Sequence, residues 1–182
     1  MFAGASTLTL GPAGFGVHTL KPAPSELREL MPRKVDSNGH IVLTPGISAA
    51  YRWRGQEIAL ALISDSFSNP AFAGVYGREW DLDWKNFSWG LVGGIYVRKS
   101  IQGCHAFNFQ TICISNAKDL PVKFNVGGGA SRTDFAPILG LQLNYSPKIS
   151  QSFRLDVNLV TALYISLLTV GLRFDWEQSN GH

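Results

Sequence analysis

Residues 41–53 constrain this chain more than any other stretch. Ile41, Leu43, Pro45, Ile47, Ala49, Tyr51 and Trp53 fall on one side of a two-residue period. Val42, Thr44, Gly46, Ser48, Ala50 and Arg52 fall on the other. Side chains alternate across a strand, so the pattern predicts a long strand with one greasy face and one small, mixed face. The same period recurs downstream. Phe87, Trp89, Leu91, Gly93, Ile95 and Val97 oppose Ser88, Gly90, Val92, Gly94 and Tyr96. Phe135, Pro137, Leu139, Leu141, Leu143 and Tyr145 oppose Ala136, Gly140, Gln142 and Asn144. Phe153, Leu155, Val157 and Leu159 oppose Arg154, Asp156 and Asn158, and residues 168–176 repeat the scheme.

Shorter runs at 7–18, at 58–64 and at 71–80 bring the expected total to eight strands. Turn residues punctuate them at 54–56, 83–86 and 147–152, after the second, fourth and sixth strands. The stretches 19–40 and 100–134 are the long connections, after the first and fifth strands. Short turns on one rim and long loops on the other are how an outer-membrane barrel is built. The first long connection is rich in proline, with one short helix expected at 26–30. The second holds both cysteines, Cys104 and Cys113, and room for a hairpin of its own. An even cysteine count suits a small disulfide loop in an oxidising compartment, and equally two buried thiols.

Composition decides between a membrane barrel and a soluble one. Charged residues make up 16% of the chain, aromatics 12%, and there are 19 glycines. A lipocalin-like barrel in water needs a charged exterior, yet the less apolar faces here carry Gly, Ser, Thr and Ala rather than Lys and Glu. Small mixed side chains suit a narrow lumen. Tyr51, Trp53, Trp80, Trp84, Phe87, Tyr145, Phe153, Phe174 and Trp176 lie at strand ends, as an interfacial girdle requires. A net charge of +3 with no dense basic run gives no nucleic-acid surface. Nothing reaches the apolar length of a transmembrane helix. Residues 1–5 have neither the basic start nor the apolar core of a secretory signal. The expected fold is therefore all-β, an eight-stranded antiparallel up-and-down transmembrane barrel with an apolar to mixed interior. It is read as a single domain over 1–182, monomeric, in the outer membrane of a Gram-negative bacterium.

Up-and-down topology then groups chemistry. His18 ends the first strand and Asp65-Ser66 ends the third, so all three belong to the long-loop rim. An imidazole, a carboxylate and a hydroxyl on one rim make acyl transfer a candidate activity. A polar turn with a stray rim histidine is the plainer account of the same residues.

The segment Asp65-Ser66-Phe67, followed by Tyr76-Gly77, resembles the Asp-Ser-Trp…Tyr-Gly hairpin of lipid A palmitoyltransferases, the PagP family, with Phe67 in place of the Trp. The likeness extends more loosely to His18, 87–97, the approach to 135–145, and Arg173-Phe174-Asp175-Trp176. It implies an outer-membrane acyltransferase that moves a palmitoyl chain from a glycerophospholipid donor to lipid A, without cofactor or metal. In that reading His18 is the base, Asp65 orients it or shares its task, and Ser66 is a hydrogen-bond donor or nucleophile. Gly77, or Gly74 as the near alternative, takes the floor of the acyl pocket. Lys21, Arg28, Arg33, Lys34, Arg98, Lys99, Lys118 and Lys123 either pair with lipid A phosphates or are solvated loop charges. A lipid A deacylase or esterase using water as acceptor, and a non-catalytic small barrel, are the alternative functions.

Overall fold

The computed structural model describes residues 6–17, 35, 40–82, 84–99, 103–107, 110–114, 124–127, 132–162 and 166–176. Its strands are β1 (Ser6–Val17), β2 (Ile41–Trp53), β3 (Gln56–Ser64), β4 (Pro70–Asp81) and β5 (Phe87–Lys99). Then come β6 (Gly103–Phe107), β7 (Gln110–Ile114), β8 (Phe124–Val126), β9 (Thr133–Tyr145), β10 (Phe153–Ala162) and β11 (Ser166–Trp176). Pairing runs β10-β11-β1-β2-β3-β4-β5-β9, and β9 pairs back to β10. The eight long strands thus close a ring, every neighbour antiparallel. Closure leaves no backbone edge along the ring, the condition a sheet must meet to sit in lipid. β8 is an addition, laid on the loop end of β9 from Phe124↔Phe135 to Val126↔Thr133.

Turn chemistry explains the tight rim. Trp53 pairs with Gln56 across Arg54 and Gly55, whose φ angles are 48° and 75°. Two successive positive φ values make the two-residue hairpin whose twist matches the flanking strands. Asn86, at φ 69°, ends the next turn, and asparagine tolerates that conformation better than most side chains. The loop between β5 and β9 contains the hairpin β6–β7, in which Cys104 stands opposite Cys113. The helix expected at 26–30 falls outside the described residues.

The two faces separate as the alternation predicts. Leu10, Ile47, Leu60, Tyr76, Leu91, Leu139, Phe153 and Val170 all point outward and stay exposed, so each of the eight strands contributes to the band. Ile47 is 66% exposed and Leu139 68%, values no water-facing barrel could repeat around its girth. Stacked or edge-packed aromatics ring the short-turn end: Tyr51 with Trp53, Trp80 with Trp89, Phe87 with Tyr145, Phe153 with Phe174. An apolar belt flanked by aromatics on a closed barrel is an outer-membrane protein of a Gram-negative bacterium. Inside, Val42, Ala50, Ala61, Ala71, Val92, Ala136 and Ala162 are buried among Thr44, Gln142, Asn144 and Asn158. Eight strands leave a lumen only wide enough for side chains to fill, which is why alanine recurs there.

Candidate functional site

Asp65 follows β3 directly and builds the turn to β4. Its Oδ1 accepts the backbone N–H groups of Phe67 (2.9 Å) and Asn69 (2.8 Å). Its main chain closes the same turn: Asp65 N–H donates to Asn69 O at 2.8 Å, and Ser68 N–H donates to Asp65 O at 3.0 Å. A short acceptor that bonds its own backbone a few residues on is a turn-former by nature. Oδ2 meets Arg98 Nη1 at 3.2 Å, and Arg98 Nη2 reaches Asp134 Oδ2 at 3.5 Å. The Arg98 guanidinium also lies 5.4 Å from the centre of the Phe67 ring, a cation–π distance. Burial pushes the Asp65 carboxyl above its usual value, and Arg98 with the amides of Asn69 and Phe67 holds that rise in check.

Asp65 and Ser66 do share the long-loop rim, and both are buried. Val17 ends β1 at that rim, paired with Ile41 and Ser166, while His18 falls outside the described residues. Two expectations need correction. Gly74 is no pocket floor: Ala73 and Val75 line the lumen, so Gly74 faces outward, against the side chains of Phe72 and Leu60. Gly77 points inward but lies below the cavity, paired with Glu57 on one side and Val92 on the other. A Cβ there would stand 2.6 Å from Leu91 O and 2.7 Å from Val92 Cγ1, so it would strain the wall rather than shorten a pocket. Arg98, expected among the outer loop charges, is 4% exposed and committed to Asp65 and Asp134.

Between Asp65 at the mouth and Asp156 below lies a cavity of about 140 Å³. Ala59, Ala61, Ala73, Val75, Ile138 and Val160 supply much of its wall. Its volume matches that of a dry apolar cavity known to take benzene, roughly 150 Å³ and six carbons. A sixteen-carbon chain requires well over twice that space.

A second cluster, which the alternation alone did not single out, seals the lumen beneath. The Arg52 guanidinium pairs with Glu57, with Glu79 Oε2 at 3.1 Å and with Asp156 Oδ2 at 3.1 Å, and donates to Thr9 Oγ1 at 2.8 Å. Gln142 Nε2 donates to Glu57 at 3.0 Å and Asn144 Nδ2 to Glu79 at 2.8 Å. Ser88 and Ser146 donate to Glu79 and Asp156. The sequence did carry a signal: Arg52 and Asp156 each interrupt the small residues on a lumen-facing series. What it lacked was the register that brings β2, β3, β4 and β10 to one level. Among the described residues, no group of three or more His, Cys, Asp or Glu side chains is arranged to hold a metal.

No family model matches this chain, and no curated protein matches it. Two solved structures resemble it over nearly their full length. Neisserial surface protein A is 13% identical, with 96% of this chain and 97% of that one covered and a TM-score of 0.42. Ail, the attachment invasion locus protein of Yersinia pestis, was solved in complex with the heparin analogue sucrose octasulfate. It is 14% identical, with 94% and 99% covered and a TM-score of 0.45. The fold assigned here rests on the strand pairings, and the chain is a small outer-membrane β-barrel.

Proposed function

We propose that this chain serves as a non-catalytic outer-membrane barrel, a rigid membrane anchor that carries its long connections, 18–40 and 100–132, outside the bilayer. One observation carries the reading: the Asp65 carboxylate is consumed by two backbone amides and Arg98, as a turn-former's would be. The ion cluster around Arg52 fills the lumen below and argues against an open channel. Mass analysis of lipid A from cells with and without the protein tests it. The expected result is no added or missing acyl chain, together with no conductance in planar bilayers. A protein-dependent change in lipid A would end the anchor reading.

A second reading, the lipid A acyltransferase, is favoured by one feature: Asp65 and Ser66 stand at the mouth of an apolar cavity. There an acyl carbon would pass from a phospholipid ester to a lipid A hydroxyl. His18 would take the hydroxyl proton, and the lysophospholipid would leave with a proton in return. The cavity size speaks for a short chain rather than a palmitoyl group. A gain of one acyl chain on lipid A, lost in Ser66→Ala, would establish it. A loss of one chain would instead identify a deacylase.

A further inference from the structure

The cavity above the Arg52 cluster has one polar group unlike its neighbours. Thr44 and Ser48 hydroxyls donate to the main-chain carbonyls of Gly14 (3.0 Å) and Gly11 (3.3 Å). Thr9 donates to Asp156, and Thr169 turns to the main-chain carbonyl of Asn158. Ser66 and Tyr96 have interactions of their own. Asn158 lines the same cavity, is 8% exposed, and its Oδ1 has no hydrogen-bond partner among the described residues. A buried carboxamide oxygen without a donor has given up water and gained nothing in return. Asn158 lies two residues beyond Asp156 on the lumen face of β10, in a cavity whose wall is largely alanine and valine.

We infer that the lumen binds a small hydroxylated hydrocarbon of about six carbons, its ring or chain against Ala59, Ala61, Ala73 and Val75 and its hydroxyl on the Asn158 carboxamide. The volume of about 140 Å³ sets the size, because a cavity near 150 Å³ accepts one benzene-sized body. The carboxamide sets the polar end. A hydroxyl both donates and accepts, so it satisfies either orientation of the amide. A charged head is disfavoured, since Arg52, Asp156, Asp65 and Arg98 are already paired at the two ends. The inference rests on neither functional reading above, because it requires no turnover and no lipid A.

The test uses the full chain in detergent micelles, with alanine methyl groups labelled for NMR and phenol, cyclohexanol and benzene as probes. Saturable shifts confined to cavity alanines are expected for phenol and cyclohexanol. Both should bind at least ten-fold more tightly than benzene. Asn158→Leu should bring phenol down to the benzene level, and Ala61→Leu should abolish binding of all three by filling the space. Equal affinity for phenol and benzene in the unaltered protein would overturn the inference whether or not the variants fold. So would shifts spread over lipid-facing residues, or an absence of saturable shifts.

Discussion

The two ends of the lumen are built on opposite plans. At the short-turn end one guanidinium gathers carboxylates from three other strands, and amides and hydroxyls fill the remaining acceptor positions. At the loop end Arg98 links Asp65 and Asp134 beside the Phe67 ring, and an apolar space opens beneath. The first arrangement is a plug and the second a cup. The contrast teaches that buried charge fills the lumen at one end of this barrel and frames an opening at the other.

The sharpest way to break that contrast is Arg52→Met. It would leave Glu57, Glu79 and Asp156 buried without their shared partner, a change that costs about 3–5 kcal/mol when a buried pair loses one member. Denaturant unfolding in detergent should show that loss, and the double variant Arg52→Met with Glu57→Met should recover part of it. A loss below 1 kcal/mol would mean that the plug is solvated and the two ends are alike. Arg98→Met comes next, at about 1–3 kcal/mol, since the turn amides still satisfy Asp65 Oδ1. Equal losses for Arg52 and Arg98 would erase the distinction.

Asp65→Asn is a smaller change. The amide oxygen can keep the turn, and the loss of the Arg98 pair should cost about 1 kcal/mol at neutral pH. Burial raises the Asp65 carboxyl in the folded protein, so its contribution is greatest below the unfolded value of about 3.9 and is lost as pH rises through the folded value. The Tm advantage of the unaltered protein over Asp65→Asn should therefore shrink as pH climbs out of the acid range. A widening advantage would show that Arg98 and the amides outweigh burial. The smallest expected effect belongs to Asn158→Leu. Replacing an amide whose Oδ1 has no partner among the described residues by an apolar side chain of similar size should leave Tm unchanged or slightly raised.

Much of the fold was legible because strand alternation is local. Residues 41–53 specify β2 and both its faces without reference to any other strand. The rim shared by β1 and β3 followed from topology alone. Face assignment failed where the sequence was too small to speak. In β4, glycines and alanines alternate with little contrast, so Gly74 stood as the near alternative to Gly77 although Ala73 and Val75 are the residues that line the lumen. The Asp65 turn was legible only in part: an Asp-Ser pair looks alike in sequence whether or not it bonds its own amides, and the bonds to Phe67 and Asn69 appear only in the fold. The Arg52 cluster was illegible for a third reason. Arg52 and Asp156 are 104 residues apart, and their meeting depends on barrel shear, which no single strand encodes.

That separation bears on how the cylinder forms. Arg52 sits on β2, and its carboxylates come from β3, β4 and β10, the last reached only around the ring through β1 and β11. A half-wrapped sheet would hold this cation with its β3 and β4 neighbours but without Asp156. Sealing the wall and bringing the third carboxylate to this guanidinium thus go together, so the cluster is complete only when β1 meets β11.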